Sequence, residues 1–134
     1  MEFTEVCILK IHIGEDVFMG DDPLYKRIIE EARKLHLAGG TVYKCLEGFA
    51  SETRGLGKRL LVNFTDPNNL PVVIEIVDSR ENINKILPFL EKHLSRGMAS
   101  VTNTKVLMTD YLRERIKKIE EIDKNAAEVK IIKE

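Results

Sequence analysis

Two adjacent glycines, Gly39 and Gly40, are the residues of this sequence best suited to hold a ligand. They lie between a helical segment and a short alternating strand that begins at Thr41. Glycine has no Cβ, so its backbone can approach a bound group closely, and N–H groups freed at such a turn bind anions. From the residues alone, the favoured interpretation is that the pair only caps the preceding helix in a left-handed turn. The alternative is a turn that contacts an anion.

Basic residues in irregular segments are candidates for contacts with phosphate groups. The arginine guanidinium matches a phosphate through paired hydrogen bonds, whereas a lone basic side chain in a loop is more often simply solvated. Both interpretations apply to Arg54, Lys58, Arg59 and Arg96.

Residue spacing gives little support to metal or catalytic chemistry. The three histidines are far apart, and metal-binding histidines are typically separated by about three to five residues. No nucleophile with a neighbouring base is present, and neither is a Walker or dinucleotide glycine pattern. We interpret the two acidic pairs as solvated loop residues and helix caps rather than cation ligands. We interpret the two isolated cysteines as small buried side chains. The histidines are His12, His36 and His93, the acidic pairs are Glu15–Asp16 and Asp21–Asp22, and the cysteines are Cys7 and Cys45.

Composition indicates one globular domain. The chain has 134 residues, a formal net charge of −1, 43% hydrophobic residues and 32% charged residues. This balance gives no electrostatic reason to expect a nucleic-acid or membrane partner. No apolar run approaches the roughly 20 residues of a membrane span, and the first residues lack a signal-peptide pattern, so we expect a cytoplasmic protein.

The apolar periodicity predicts four core strands and two helices. The first helix is expected to begin at an Asp22 cap with Pro23 in its first turn, and the second at Asp78 with Glu81 in a capping box. Pro88 is expected to kink the second helix. In chain order the elements are a strand over Val6–Ile13, a helix to Leu35, a strand over Thr41–Glu47, a strand over Pro71–Val77, a helix to Leu94 and a strand over Val101–Met108.

This order is the β-α-β-β-α-β arrangement of a ferredoxin-like α+β fold. Gly48 is expected to form a second glycine turn that opens a long segment to Leu70, within which Arg59–Phe64 predicts a further strand. Residues 1–108 form the predicted domain, and residues 109–134 form an extension with a helix and a short strand over Glu128–Ile132. The core strands carry apolar residues on both faces of the sheet, and the two helices cover only one face. We therefore expect a homo-oligomer in which the sheets of different subunits pack together.

Several short motifs, in order, resemble the PII-like proteins catalogued as domain of unknown function one-ninety, an uncharacterised protein family. The resemblance covers roughly residues 6–108, and the chain is more distantly similar to the PII nitrogen-regulatory signal proteins. The motifs are Ile13-Gly14-Glu15-Asp16, Pro23-Leu24-Tyr25, Leu37-Ala38-Gly39-Gly40-Thr41-Val42, Glu47-Gly48-Phe49 and Leu70-Pro71-Val72-Val73-Ile74-Glu75-Ile76-Val77-Asp78.

The resemblance implies a ferredoxin-like homotrimer that binds an adenine nucleotide in clefts between subunits. It also implies that the loop over residues 48–70 meets a protein partner, such as a transporter or channel. The family's matching positions imply a turn and strand start that line the nucleotide, and residues at the root of the signalling loop. They also imply a strand that flanks the pocket for the adenine ring and a loop that faces the phosphate groups. The implied nucleotide-binding residues are Gly39, Gly40, Thr41, Gly48, Phe49, Ala50, Glu75, Val77, Arg96, Gly97 and Met98.

The sequence departs from the PII pattern at the phosphate end of that implied site. Ala50-Ser51-Glu52 replaces a Gly-Arg-Gln segment, Pro71 replaces a lysine that helps to hold 2-oxoglutarate, and Met98-Ala99-Ser100-Val101 replaces a phosphate loop. With fewer donors for phosphate, AMP or ADP is favoured over ATP.

Two other classes of function remain open. Some ferredoxin-like domains hydrolyse acyl phosphates, which would make the chain a small phosphate-ester or acyl-phosphate hydrolase. The architecture is also that of the trimeric CutA proteins, which would indicate a structural or metal-tolerance role. RNA binding by this fold needs aromatic side chains on the central strands, on which RNA bases stack. The core strands carry mainly Val, Ile and Leu, so RNA binding is disfavoured.

Overall fold

The computed structural model of the chain describes residues 1–49, 53–55 and 70–133. Eight strands and three helices lie in these ranges, and two of the strands are two-residue bridges. They are β1 (Phe3–Gly14), β2 (Phe18–Met19), β3 (Asp22–Pro23), α1 (Leu24–Lys34), β4 (Gly40–Lys44), β5 (Glu47–Phe49), β6 (Thr53–Gly55), β7 (Pro71–Asp78), α2 (Arg80–His93), β8 (Met98–Leu107) and α3 (Asp110–Lys133).

The main sheet has four strands in the order β4-β7-β1-β8, and every neighbouring pair is antiparallel. Together with α1 and α2, these strands give the ferredoxin-like β-α-β-β-α-β order, as predicted. Strands β4 and β8 are the two edges of the sheet, three strand spacings apart, which is roughly 14 Å.

The hydrophobic core lies between one face of this sheet and the two helices α1 and α2. Alternate residues of a strand point to the same face, so Leu9 and Ile11 of β1 lie beside Ile76 and Ile74 of β7, and all four are fully buried. Full burial of each such side chain stabilises the fold by about 1.5–3 kcal/mol. The helices contribute the buried residues Leu24, Ile28, Ala32, Ile83, Ile86 and Leu90.

The other sheet face is mixed in character. Ile8 and Val77 form a cross-strand pair there, and Val73 is buried. Lys10 and Glu75 form the next pair, with Nζ and Oε1 3.9 Å apart. The expected apolar character is therefore present at the centre of this face but is interrupted by an ion pair. Packing of this face against another copy stays a prediction.

Both helix starts differ from the sequence-based prediction. Pro23 is the residue before α1 and gives no side-chain cap, while Asp22 contacts Arg27 at 3.2 Å. Helix α2 is capped by Ser79, whose Oγ accepts a hydrogen bond of 3.2 Å from the N–H of Asn82. The predicted Asp78–Glu81 capping box was wrong, because Asp78 is still the last residue of β7 and binds other donors. Helix α2 continues through Pro88.

Three other element predictions need correction or lie outside the described residues. The strand predicted over Thr41–Glu47 ends at Lys44, and Glu47 begins β5, which pairs with β6 instead. The short strand predicted over Glu128–Ile132 was wrong, because α3 is continuous to Lys133 and no Gly or Pro interrupts its sequence. The strand predicted over Arg59–Phe64 lies outside the described residues.

Candidate functional site

A cavity of about 990 Å³ opens where β4 begins and β7 ends. The register places Gly40 beside Ile76 and Thr41 beside Glu75, so the turn before β4 and the end of β7 form one wall. Five of the residues that the resemblance implied lie together on this wall, and they are Gly39, Gly40, Thr41, Glu75 and Val77. The start of β1, the end of β8, the first turns of α2 and part of α3 complete the lining.

The turn that leads into the cavity is set by the end of α1. His36 adopts a left-handed conformation with φ 57°, and the N–H of Leu37 donates to the carbonyl of Ala32 at 3.1 Å. The N–H of His36 donates to the carbonyl of Arg33, also at 3.1 Å. These two bonds form the usual left-handed helix end, with histidine at the position that glycine most often occupies. The interpretation of Gly39–Gly40 as the helix cap was therefore wrong.

The two glycines differ in what surrounds them. A Cβ added to Gly39 would meet no atom within 4 Å, whereas one added to Gly40 would lie 3.2 Å from Ile29 Cδ1. Neither glycine has a positive φ, unlike Gly20, Gly55 and Gly97. Gly40 thus permits close packing of β4 against α1, while Gly39 leaves open space on the wall of the cavity.

Asp78 anchors this wall to the start of α2. Its Oδ2 accepts a hydrogen bond of 2.8 Å from the N–H of Ala38, and its Oδ1 accepts bonds from the Ser79 N–H at 2.7 Å and from Asn82 Nδ2 at 3.0 Å. The carbonyl of Ala38 accepts a bond of 3.1 Å from Arg115 Nη2 on α3. The residue before the glycines is therefore fixed at both its N–H and its C=O, which preorganises the turn.

The lining of the cavity combines an apolar surface with an excess of negative charge. Such a surface suits a flat, mostly uncharged ring system with a few hydrogen-bonding groups rather than a phosphate chain. Glu75 is partly compensated by Lys10 at 3.9 Å, and Asp123 by Lys85 at 3.9 Å. The apolar residues are Val6, Val77, Val106, Leu112, Ile116 and Ile119, and the charged ones are Glu5, Glu75, Asp78, Glu81, Lys85, Glu120 and Asp123.

The predicted loop base lies away from this cavity. Gly48 and Phe49 are in β5, where Gly48 pairs with Arg54 and Phe49 with Thr53. Gly48 is therefore not the turn that the sequence predicted. The glycine with a positive φ in this hairpin is Gly55, at 130°. Ala50 lies outside the described residues.

A buried carboxylate, Glu15, joins the segments on either side of the long loop. Its Oε2 lies 3.0 Å from Lys44 Nζ, and its Oε1 accepts a bond of 3.0 Å from the N–H of Leu70. The hydrogen bond that Lys44 donates to Glu15, together with the negative charge of Glu15, raises the pKa of Lys44. Next to it, Asp16 Oδ1 accepts a bond of 3.0 Å from Arg54 Nε in the hairpin. These contacts fix the base of the loop to the end of β1.

The remaining predicted residues, Arg96, Gly97 and Met98, lie at the start of β8, on the opposite edge of the sheet from β4. Met98 pairs with His12, and Gly97 has φ 100°. A Cβ at Gly97 would overlap His12 O and Ile13 Cγ2, so glycine is required there for packing. Within one protomer these residues do not reach the cavity lined by Gly39.

The described ranges offer no candidate for two other kinds of site. Within them, no group of three or more His, Cys, Asp or Glu side chains is arranged to hold a metal ion. No helix in the same part of the chain is long and apolar enough to span a membrane.

Comparison with known proteins identifies the family. The model of the family DUF190, described as "Uncharacterized ACR", matches residues 6–106, so the chain belongs to this family. A UPF0166 protein of Aquifex aeolicus is 32% identical over 108 residues, covering 80% of this chain and 98% of that protein. A UPF0166 protein of Methanocaldococcus jannaschii is 38% identical over 105 residues, covering 74% and 89%. The family predicted from the motifs is thus confirmed.

Solved structures with the same fold are PII-like and CutA proteins. A putative PII-like signaling protein from Thermus thermophilus has a TM-score of 0.58 and 21% identity, covering 80% of this chain and 94% of that one. CPII, a nitrogen regulatory PII-like protein from Thiomonas intermedia bound to ADP, AMP and bicarbonate, has a TM-score of 0.53 and 17% identity over 78% and 91%. CutA from Synechococcus elongatus in complex with Bis-Tris has a TM-score of 0.55 and 6% identity over 88% and 99%. At these identities the comparisons show the fold.

Sequence reasoning missed the part of the cavity that α3 contributes. Leu112, Ile116 and Ile119 recur at helical spacing, which revealed the helix, but no local signal tells where its apolar face packs. It also assigned Asp78 to a helix cap, although this carboxylate binds the turn before β4. Both contacts join segments that are far apart in the sequence.

Proposed function

We propose that the chain is a PII-like regulatory protein that binds an adenine nucleotide, AMP or ADP, and signals through the loop over residues 48–70. The observation that carries this proposal is the shared cavity of Gly39, Gly40, Thr41, Glu75 and Val77. The motif resemblance implied all five residues, and they come from two separate segments. The adenine and ribose would occupy the cavity, where backbone of the Gly39–Gly40 turn and the Val77 side chain offer hydrogen bonds and apolar contact.

The acidic lining requires that the phosphate groups point out of the cavity. Among the described residues, the cavity lining has one lysine, Lys85, which Asp123 partly neutralises. The other candidate cations, Lys44, Arg54 and Arg96, belong to the loop base and the far sheet edge. A second copy is needed to bring such residues to the cavity. We therefore propose a homotrimer in which each nucleotide lies between two subunits, with Arg96, Gly97 and Met98 of one facing the Gly39 wall of the next.

The ligand would act on the loop through the contacts at its base. Glu15 and Asp16 join the end of β1 to Lys44, Leu70 and Arg54. A phosphate that competes with these carboxylates for Lys44 or Arg54 would change the arrangement of the hairpin. A ligand shifts such an equilibrium only by its differential affinity for the two arrangements. A protein partner such as a transporter or channel would then read the loop.

The experiment is calorimetric titration of the purified full-length protein with adenosine, AMP, ADP, ATP and cyclic AMP. We expect AMP and ADP to bind more tightly than ATP. The key variant is Gly39→Leu, because Gly39 lines the cavity and a Cβ added there meets no protein atom within 4 Å. We expect at least a tenfold loss of affinity with an unchanged melting temperature. Glu91→Leu, an exposed change on α2 outside the cavity, is the matched control and should bind as the parent does.

Lack of binding of every adenine nucleotide at millimolar concentration would contradict the proposal, and so would equal binding by the parent and Gly39→Leu. The same preparation tests the two other classes of function. Release of phosphate from acyl phosphates or phosphate esters would favour a hydrolase, and stoichiometric metal in elemental analysis would favour a CutA-like role.

A further inference from the structure

Helix α3 forms one side of the candidate nucleotide cavity, although it lies outside the residues that the family model matches. The match ends at residue 106, and α3 begins at Asp110. Five of its residues nevertheless line the cavity, namely Leu112, Ile116, Ile119, Glu120 and Asp123. Whatever this wall selects is therefore a property of this chain's extension rather than of the matched domain.

Contacts along α3 fix the helix to three other segments. Near its start, Arg113 Nη2 lies 2.7 Å from Glu2 Oε2. In its middle, Arg115 donates to the Ala38 carbonyl at 3.1 Å, and Ile119 is buried. Farther along, Asp123 lies 3.9 Å from Lys85 of α2. The bond from Arg115 to Ala38 joins α3 to the same turn that carries Gly39.

The charge that α3 adds to the cavity is negative. It brings Glu120 and Asp123 to a lining that already contains Glu5 and Glu81. The only lysine among the described lining residues, Lys85, is 3.9 Å from Asp123 and is thereby partly neutralised. None of Glu5, Glu81 and Glu120 forms an ion pair with another residue in the described part of the chain. All three are exposed carboxylates on the rim of the cavity lining. A carboxylate beside a ligand repels each phosphate charge placed near it.

We propose that α3 is a selectivity wall: its apolar residues contact the nucleoside, and Glu120 limits the number of phosphate groups that the cavity tolerates. This inference rests on the proposed function and specifies the ligand class of that site as a nucleoside with few phosphates. Repulsion grows with ligand charge, so removing the Glu120 carboxylate should help ATP most, ADP less and AMP least. Salt should weaken the effect, because the screening length falls from about 10 Å at 0.1 M to about 3 Å at 1 M.

The test compares two neighbouring charges on the same helix. Both carboxylates are exposed, but Glu120→Gln neutralises one that lines the cavity and Glu121→Gln neutralises one that does not. With the full-length protein at low salt, we expect Glu120→Gln to raise the ATP-to-AMP affinity ratio by about three- to tenfold. Glu121→Gln should leave that ratio unchanged. At 1 M salt the difference between the two variants should largely disappear.

A second pair of variants tests whether α3 contacts the nucleoside itself. Ile116→Trp introduces a bulky indole ring into the lining of the cavity. Ile122→Trp introduces the same ring at an exposed position of α3 outside the cavity. We expect the first to weaken adenosine and AMP binding at least tenfold, and the second to have no effect. Circular dichroism and melting temperature check that both variants fold.

The outcomes separate the two proposals. If the parent binds nucleotides but Glu120→Gln changes AMP and ATP affinity equally, or if Glu121→Gln has the same effect, the selectivity wall is wrong and the proposed function stands. If Gly39→Leu and Ile116→Trp both leave nucleotide binding intact, the ligand lies elsewhere and both proposals are overturned. Absence of nucleotide binding by every form also overturns both.

Discussion

The carboxylate of Asp78 accepts a hydrogen bond of 2.8 Å from the backbone N–H of Ala38, forty residues earlier in the chain. Asp78 is the last residue of the central strand β7, and Ala38 precedes the glycine turn that opens the cavity. The same carboxylate accepts hydrogen bonds at the start of α2 from the backbone N–H of Ser79 and from the side-chain amide of Asn82. One side chain therefore holds the strand, the second helix and the ligand-facing turn in a common arrangement.

Replacing Asp78 by alanine should loosen this arrangement. Three donors would lose their acceptor, and leaving a part-buried donor unpaired costs about 1–3 kcal/mol. We expect Asp78→Ala to lower the free energy of unfolding by about 2–4 kcal/mol, measured by urea denaturation. Asp78→Asn keeps one acceptor oxygen and should lose less. Asp110→Asn removes a fully exposed carboxylate and is the control. Equal stability of Asp78→Ala and the control would show that the three bonds contribute nothing net.

Two glycines with opposite surroundings give a paired test of why glycine occurs at each. Gly97 has φ 100° and faces His12 O and Ile13, so Gly97→Ala should destabilise the fold by about 1–3 kcal/mol. Gly39 has no positive φ and open space around it, so Gly39→Ala should leave stability within about 0.5 kcal/mol of the parent. Thermal and urea unfolding of both variants measure the difference. A larger loss at Gly39 than at Gly97 would contradict the structure of both turns.

The ion pair between Lys44 and Glu15 should contribute to stability in a defined pH range. Glu15 raises the pKa of Lys44 above its ordinary value of 10.5 in the folded state. A group with a raised folded pKa stabilises the fold below the unfolded pKa, and this contribution is lost as pH rises through the folded pKa. Because half of the lysine side chain is exposed, we expect a contribution below about 1 kcal/mol.

A double-mutant cycle isolates this contribution from the other lysines and tyrosines that titrate at high pH. The variants are Lys44→Met, Glu15→Gln and their combination, measured by urea unfolding at pH 8 and near pH 12. The coupling free energy should be favourable at pH 8 and close to zero at the higher pH. A coupling that is the same at both values would exclude a charge interaction between these two residues.

How much of the fold could be predicted depends on how far apart in the sequence the interacting residues lie. The Val and Ile run of β7 and the periodic apolar faces of α1 and α2 are local signals, and they located the four core strands and two helices. The cavity residues Gly39, Thr41 and Glu75 were found because short motifs resemble a family, although their mutual contact depends on the register between β4 and β7.

The features that were missed depend on contacts that no local pattern encodes. His36, not a glycine, takes the left-handed position after α1, because hydrogen bonds from His36 and Leu37 satisfy the helix end. The apolar stripe of α3 is visible in the sequence, but its position in the same cavity lining as Val77 and Val106 depends on the tertiary structure. The break between β4 and β5 was also missed, because neither Gly nor Pro occurs at Cys45 and Leu46 to mark it. The pairing of Glu47 with Gly55 reveals it.

The sheet face opposite the helices provides the last prediction, which concerns assembly. Ile8 lies at the centre of this face, between Val77 of β7 and Thr102 of β8. If this face packs against other copies in a trimer, Ile8→Asp buries an unpaired charge in the interface and should dissociate it. Light scattering should then give a mass near 15.3 kDa, where the parent gives about three times that value. Nucleotide affinity should fall in the same variant, because the cations proposed to receive the phosphates belong to a second subunit. Glu91→Asp, at an exposed position on the helical side, should change neither mass nor affinity. A trimeric Ile8→Asp variant would show that this face is not the trimer interface. A monomeric variant that binds AMP as tightly as the parent would show that the site does not need the interface.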